Sequence, residues 1–133
     1  VWERLSGAIA AAPCLTIAAL NGTAAGGALG MVLAADLRVA VAKASIFYPV
    51  MKLGFLPQPS DPVRLAALFG PARAKLILMS GSKIGAEEAK SMGLSDIISD
   101  DPLGVAHSLA SDVAQASSEH MTAIKALVPG DST

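Results

Sequence analysis

The most informative pattern in the chain is a short apolar run that leads through small residues into a second apolar run. The first run, at 14–20, predicts a strand. Residues 21–26 carry little side-chain bulk and predict a turn, and the Ala/Leu/Met-rich segment at 27–35 predicts a helix. Two adjacent glycines, Gly26 and Gly27, lie where the turn meets the helix. Because glycine has no Cβ, a ligand can approach the backbone closely at that point.

A helix that begins at such a turn offers chemistry as well as space. Its first N–H groups have no partner within the helix, and together with the helix dipole they favour a negative or developing negative oxygen. Tight packing of a helix on a sheet explains the glycines equally well, so both interpretations stay open here. The spacing G-x-x-x-G-G-x-x-G differs from G-x-G-x-x-G, and no Lys-Ser/Thr pair follows, which argues against the two common nucleotide loops.

The rest of the chain alternates between helical and extended patterns. Prolines within 53–62 predict a loop. Further helices are predicted at 2–11, 62–69, 71–80 and 86–92, and further strands at 37–41, 45–47 and 94–98. The helices that follow the loop are predicted to end at glycines: Gly70, Gly81 and Gly93. This alternation indicates an α/β layer fold.

The C-terminal part is predicted to be helical. Asp101 is a predicted N-cap before Pro102, and the apolar positions over 103–114 form one helix face. A second amphipathic segment is predicted at about 118–128, and residues 129–133 are expected to form a frayed tail.

Composition narrows the functional classes. With 133 residues, 53% hydrophobic and 16% charged, the chain fits one core-rich domain. Aromatic residues make up 4% and the net charge is −1, so no nucleic-acid partner is expected. No apolar run reaches the roughly 18–20 residues that span a bilayer, so no membrane partner is expected. The single cysteine, Cys14, forms no internal disulfide, and a cytoplasmic location is expected. His107 and His120 lack neighbours at metal-ligand spacing, so no metal site is expected.

Residues 21–36, followed by Leu37-Arg38-Val39-Ala40, resemble the signature of the crotonase family, also called the enoyl-CoA hydratase/isomerase family. Further blocks resemble the same family in the same order, at 44–57, 64–65, 70–74, 76–81 and 84–94. The matching blocks together extend over roughly residues 8–127. Several ordered blocks at consistent spacing are more specific than any single motif.

The resemblance implies an architecture and an assembly. The expected fold is α/β, a crotonase-like spiral of β-β-α units with a C-terminal helical tail. Residues 1–100 would be the C-terminal part of the core, and residues 101–133 the tail that packs on other subunits of a homo-trimer or hexamer. Family members are about twice this long, and the chain does not begin with Met. We therefore expect an excerpt of a longer protein, or an incomplete relative, without the N-terminal half of the fold.

The resemblance also implies the shared chemistry. Family members polarise the thioester carbonyl of an acyl-CoA with two backbone N–H groups, which stabilise developing charge without reorganising. One of these positions matches Gly27, where a side chain would be expected to narrow the space for the thioester. Coenzyme A enters as part of the substrate, so no separate cofactor is expected. The implied substrate site comprises Ala25, Gly26, Gly27, Gly30, Val50 and Gln58.

The residues that would move protons depart from the family pattern. Hydratases of the family use two glutamates, and the matching positions here hold Gly30 and Val50, which cannot transfer a proton. We therefore expect a protein that is not a standard hydratase. Isomerases and dehalogenases often carry an aspartate at the position of Gln58. The nearest carboxylate, Asp61, is a candidate acid or base, although the run Ser60-Asp61-Pro62 favours a helix-capping role for it.

One candidate contact lies outside this region. Lys125 matches the neighbourhood of a family lysine that can approach the coenzyme's phosphates, and a solvated helix face explains it equally well.

Three interpretations follow. The first is an acyl-CoA-processing enzyme with non-hydratase chemistry: isomerisation, thioester hydrolysis, decarboxylation or C–C cleavage. The second is a non-catalytic acyl-CoA-binding or assembly subunit. The third is an unrelated α/β domain that binds a phosphate at Gly26-Gly27.

Overall fold

The computed structural model describes residues 1–129, and it confirms the α/β class. The predicted tail lies outside the described residues except for Pro129. In chain order the elements are α1 (Trp2–Ala11), β1 (Ile17–Leu20), β2 (Thr23–Ala25), α2 (Gly26–Ala34), β3 (Leu37–Ala40), β4 (Ser45–Phe47), α3 (Val50–Leu53), α4 (Asp61–Phe69), α5 (Pro71–Ser80), β5 (Ile84–Gly85), α6 (Ala86–Met92), β6 (Ile97–Ile98), α7 (Pro102–Leu109), α8 (Ser111–Gln115) and α9 (Ser118–Leu127).

Successive turns of the chain each add one strand to each of two small sheets. β1 and β3 pair in parallel, with Ile17 opposite Leu37, while β2 and β4 pair in parallel, with Thr23 opposite Ser45. β6 extends the first sheet to the order β1-β3-β6, and β5 extends the second to β2-β4-β5 as its antiparallel member. The units β1-β2-α2 and β3-β4-α3 therefore repeat the β-β-α pattern expected from the sequence.

The structure corrects the prediction most where elements are short. The turn predicted at 21–26 contains strand β2, and the expected loop is preceded by the one-turn helix α3, which ends at Gly54 with φ of 76°. Strand β5 was not predicted at all. These segments have two to four residues each, too few to show a local period. Strands β2 and β5 are instead determined by pairing with β4.

Several predicted boundaries also shift. The strands predicted at 14–20 and 94–98 shrink to β1 and β6, and the helical face over 103–114 divides into α7 and α8 at Ala110. The end signals were correct. Helices α4, α5 and α6 end at their predicted glycines, and the Asp101 side chain accepts a hydrogen bond from the Gly104 amide at the start of α7.

The core forms around α2, which contacts α1, α4 and both strands β2 and β4. Fully buried side chains from different elements meet there, among them Leu29, Ile46, Leu65, Ile77 and Leu94. Arg38 is also buried, because its guanidinium donates to the carbonyl oxygens of Leu94, Val32 and Ala35 at 2.7, 3.1 and 2.6 Å. These bonds replace the water that a buried cation loses.

The C-terminal helix is tied to the first turn of the fold. Lys125 Nζ donates to the carbonyl oxygens of Ala12 and Cys14 and lies 2.9 Å from Asp36 Oδ2. Thr122 donates a further hydrogen bond to the carbonyl of Pro13. Within residues 1–129, no helix has both the length and the apolar character needed to cross a membrane.

Candidate functional site

A cavity of about 450 Å³ opens where β2 passes into α2, beside the end of β4 and the segment that follows it. Its volume lies in the range of small-molecule sites. None of the lining side chains carries a charge. The lining residues are Ala25, Gly26, Gly27, Phe47, Tyr48, Pro49, Val50, Leu53, Phe55, Leu56 and Gln58.

Five of the six residues expected to contact substrate line this cavity: Ala25, Gly26, Gly27, Val50 and Gln58. The sixth, Gly30, does not. The candidate acid or base, Asp61, is likewise absent from the lining and is 0% exposed. The structure therefore brings the backbone turn and the 50–58 segment together and places Gly30 and Asp61 behind that wall.

The backbone at the start of α2 leaves an amide available to the cavity. Gly26 has φ of 58°, a conformation that favours glycine, and Gly27 is the second residue of the helix. Ala25, the N-cap, makes no capping hydrogen bond with its side chain. Within residues 1–129, no hydrogen bond from the Gly27 amide is found to backbone or side chain. An N–H in the first turn has no partner inside its own helix, which agrees with the missing bond at Gly27.

Packing between helices explains why residue 27 is a glycine. A Cβ at Gly27 would lie 2.5 Å from both Cγ and Cδ1 of Trp2. The direction a side chain would take is therefore filled by the indole of α1, which is a reason for glycine that the sequence did not suggest. The expectation that a side chain would narrow the thioester space stays a prediction. Tight packing therefore accounts for the glycine at position 27, although against helix α1 and not against the sheet. The ligand-facing interpretation stays a prediction, and Gly26 and Gly27 both line the cavity.

A second close approach joins Gly30 to Asp61. A Cβ at Gly30 would lie 2.6 Å from Oδ1 and 2.8 Å from Oδ2 of Asp61. The carboxylate at the start of α4 thus fills the space into which a side chain at position 30 would project. Position 30 must stay without a side chain as long as Asp61 stays where it is.

Asp61 does not cap its helix, which corrects the capping interpretation. Ser60 is the N-cap of α4, and the Asp61 side chain instead accepts a hydrogen bond of 2.6 Å from the Tyr48 hydroxyl through Oδ2. Oδ1 has no hydrogen-bond partner in the described part of the chain. Burial raises the pKa of Asp61, while the Tyr48 hydrogen bond and the charge of Arg64 act in the opposite direction.

Tyr48 has a satisfied hydroxyl and is 2% exposed, as a packing residue should be. Its O–H donates a hydrogen bond to Asp61, and its oxygen accepts one from the backbone N–H of Gln58 at 3.2 Å. Burial, helped by the hydrogen bond to Asp61, raises the pKa of the Tyr48 hydroxyl well above its usual value. A single polar chain therefore runs from Gln58 on the cavity wall, through Tyr48, to a buried carboxylate.

Several lining residues were not predicted. Phe47 and Pro49 flank the predicted positions, and Leu53, Phe55 and Leu56 belong to the proline-rich segment, where they are 58%, 68% and 90% exposed. Solvated loops usually carry polar residues, so three large apolar residues in a predicted loop were a signal that this segment lines a binding site.

Lys125 lies elsewhere. Its ammonium group is held by two backbone carbonyls and by Asp36, so a structural role replaces the solvated-face explanation. The candidate contact with coenzyme phosphates stays a prediction.

The chain is similar to known proteins in sequence and in fold. A model of the family described as Enoyl-CoA hydratase/isomerase matches residues 2–132. Among curated proteins, the enoyl-CoA isomerase/hydratase fer4 of Mycosarcoma maydis is 39% identical over 85 residues, which cover 63% of this chain and 31% of that protein.

Solved structures agree with the expected fold. DspI of Pseudomonas aeruginosa superposes with a TM-score of 0.89 at 31% identity, over 95% of this chain and 52% of that one. The enoyl-CoA hydratase of Bacillus anthracis gives a TM-score of 0.85 at 29% identity, over 91% of this chain and 48% of that one. The chain thus spans about half the length of these structures and about a third of the curated relative.

Proposed function

The chain belongs to the enoyl-CoA hydratase/isomerase family, and from that premise we propose that it binds an acyl-CoA thioester and polarises its carbonyl with the amide of Gly27. Membership removes the interpretation as an unrelated phosphate-binding domain. The proposed enzyme acts on acyl-CoA by isomerisation, hydrolysis or carbon–carbon cleavage, with coenzyme A as part of the substrate and no separate cofactor.

The observation that carries the proposal is the free Gly27 amide at the wall of the cavity. It lies in the first turn of α2, where the helix dipole adds to the attraction for negative charge. Fixed donors of this kind are worth roughly 2.7–4 kcal/mol each to a reaction that builds charge on a carbonyl oxygen. Apolar side chains that line the cavity lower the local dielectric, which strengthens such an interaction.

The same site lacks the acids of a hydratase. Val50 lines the cavity with an aliphatic side chain, and Gly30 lies behind the wall with no side chain. Hydration needs groups that activate water and deliver a proton, and neither residue can. The protein is therefore proposed not to be a standard enoyl-CoA hydratase.

Three measurements on the complete natural protein test this. Calorimetric titration with acyl-CoA should show binding. Incubation with a panel of acyl-CoA thioesters, followed by mass spectrometry, should show turnover of at least one. Crotonyl-CoA hydration should stay far below the rate of a standard hydratase run in parallel, and equal rates would contradict the assignment of the two glutamate positions.

The amide itself is tested by removing its hydrogen. Gly27→Pro deletes the N–H at a helix position where proline is tolerated, but a ring at residue 27 would meet Trp2. The informative pair is therefore Trp2→Ala/Gly27→Pro against Trp2→Ala/Gly27→Ala, in which only the first lacks the donor. We expect turnover about 10²–10³-fold lower in the proline variant. Equal turnover in the pair would remove Gly27 from the mechanism.

A non-catalytic acyl-CoA-binding or assembly subunit is the alternative. The absence of any charged side chain among the lining residues favours it. Binding without turnover of any thioester in the panel would support the subunit and exclude the enzyme.

The proposed assembly is a homo-trimer or hexamer packed through the C-terminal helices. Exposed apolar side chains on α7 and α9 support it, with Leu103 at 62% and Leu127 at 79% exposure. Sedimentation velocity of the complete protein tests it. A cytoplasmic location is proposed from the single cysteine.

A further inference from the structure

One buried acidic group has no role in the function proposed above. Asp61 is 0% exposed, and its Oδ1 has no hydrogen-bond partner within residues 1–129. Taking a carboxylate out of water costs several kcal/mol unless its oxygens are fully bonded. Helix capping does not account for this group, because α4 has its N-cap at Ser60 and its first-turn proline at Pro62.

A hydrogen bond connects the carboxylate to a residue of the cavity lining. Tyr48 lines the cavity, and its hydroxyl lies 2.6 Å from Asp61 Oδ2. The Gln58 amide, from the facing wall segment, donates to the same phenol oxygen at 3.2 Å and fixes its position. Two hydrogen bonds, one to Asp61 and one from Gln58, therefore orient the Tyr48 hydroxyl.

The titratable groups around Asp61 come from few elements. On the α2 side it meets Gly30, in a helix without any titratable side chain. The charges that act on it are Arg64 on its own helix and Glu3 on α1. On α5, which also packs against α4, Arg73 and Lys75 are exposed to solvent. Within the described residues, the Tyr48 hydroxyl is thus the hydrogen-bond partner found for this carboxylate.

We infer that Tyr48 is the proton-exchanging residue of the cavity and that Asp61 is the positioning residue that holds its hydroxyl and takes up its proton. This inference rests on the proposed function. A C–H bond next to the polarised carbonyl breaks, and its proton moves to the Tyr48 oxygen. The hydroxyl proton of Tyr48 moves at the same time to Asp61 Oδ2. The products are an enolate facing the Gly27 amide, an intact phenol and a neutral Asp61. The two proton transfers in the reverse direction restore the thioester and the ionised Asp61.

Such a step is measured as deuterium incorporation next to the carbonyl of an unreactive acyl-CoA, butyryl-CoA, in D₂O. We expect Tyr48→Phe and Asp61→Asn of the complete protein to lower the incorporation rate about 10²–10⁴-fold. Their affinity for butyryl-CoA, measured by calorimetry, should change less than about threefold. The exposed Asp112→Asn on α8 is the matched control and should leave both quantities unchanged.

The pH dependence separates this role from a structural one. The incorporation rate of the unsubstituted protein should rise with pH as Asp61 ionises, and that limb should disappear in Asp61→Asn. Thermal unfolding of each variant reports on its fold. Should Tyr48→Phe fail to fold, the rate and pH profile of Asp61→Asn decide the question.

The outcomes distinguish the inference from the function on which it rests. No binding of butyryl-CoA by the unsubstituted protein would overturn the proposed function. Binding without deuterium incorporation, or incorporation that persists in a folded Tyr48→Phe or Asp61→Asn, would overturn the Tyr48–Asp61 role alone.

Discussion

At the scale of single residues, two glycines owe their identity to partners far away in sequence. Gly30 faces the Asp61 carboxylate, and Gly27 faces the Trp2 indole. Sequence reasoning identified Gly27 and Asp61 individually because both lie in or near family blocks. It could not pair Gly27 with Trp2, because that contact depends on how α2 packs against α1. It could not pair Asp61 with Gly30, because that contact depends on how α2 packs against α4.

The Gly30–Asp61 contact predicts a strong coupling between substitutions. Alanine stabilises a helix interior by about 1 kcal/mol over glycine when space allows. At position 30 the added Cβ would instead displace a buried carboxylate, and we expect Gly30→Ala to lower the free energy of unfolding by roughly 1–3 kcal/mol. In the Asp61→Ala background the same change should be neutral or stabilising. Denaturant unfolding of the four proteins of this double-mutant cycle measures the coupling.

Gly7→Ala is a suitable control, because a Cβ at that position in α1 meets nothing within 4 Å. Additive effects of Gly30→Ala and Asp61→Ala would contradict the contact.

Two carboxylates should give the stability opposite dependences on pH. Burial raises the pKa of Asp61, so the folded protein keeps a proton that the unfolded chain loses. The contribution of Asp61 to the free energy of unfolding should therefore fall as pH rises from about 4, the ordinary aspartate value, through the raised pKa. Hydrogen bonds from the Ser60 side chain and amide lower the pKa of Glu3, so its contribution is present above the ordinary value and is lost as pH falls through the lowered pKa.

Unfolding experiments between pH 3 and pH 7 on Asp61→Asn and Glu3→Gln test both signs. The unsubstituted protein should lose stability relative to Asp61→Asn as pH rises, and gain it relative to Glu3→Gln. If both stability differences changed with pH in the same direction, the environments described for Asp61 and Glu3 would be wrong.

At the scale of elements, the sequence was most reliable where a helix has an end signal. The glycines after α4, α5 and α6 and the Asp101 cap of α7 are local features, and each was found where predicted. Strands β2 and β5 are determined by pairing with β4 and carry no local period. Their residues could not be assigned without knowing which strands become neighbours.

The attachment of α9 gives a prediction at this scale. Three of its contacts with the first turn of the fold run through Lys125, and charged hydrogen bonds contribute about 1.5–3 kcal/mol each. We expect Lys125→Met to accelerate amide hydrogen exchange in α9 by at least roughly tenfold, while exchange in α2 and β3 stays unchanged. Lys90→Met on α6, an exposed lysine, is the control. Unchanged exchange in α9 would show that other contacts hold this helix.

At the scale of the whole molecule, the family and its fold were predictable because ordered motifs extend over most of the chain. The cavity was predictable in outline, since five expected residues line it. Its outer wall was not, because Leu53, Phe55 and Leu56 lie in an irregular segment whose course no local pattern determines. Their exposure leaves an apolar surface beside the cavity that an acyl chain would cover.

Ligand binding should therefore protect a defined part of the molecule. We expect butyryl-CoA to slow amide exchange at 25–28 and 50–58 and to leave α9 unaffected. Free coenzyme A, which has no acyl group, should protect the 50–58 segment less. Protection confined to residues outside the cavity would place the ligand elsewhere.

The contact between Trp2 and Gly27 has a practical consequence. Trp2 is the sole tryptophan of this chain, and it stacks against the backbone whose amide is proposed to hold the ligand. The chain thus carries a native fluorophore next to its own candidate donor. Occupancy of the turn should change the intensity or wavelength of indole emission, and a titration could follow binding without a label or a known reaction.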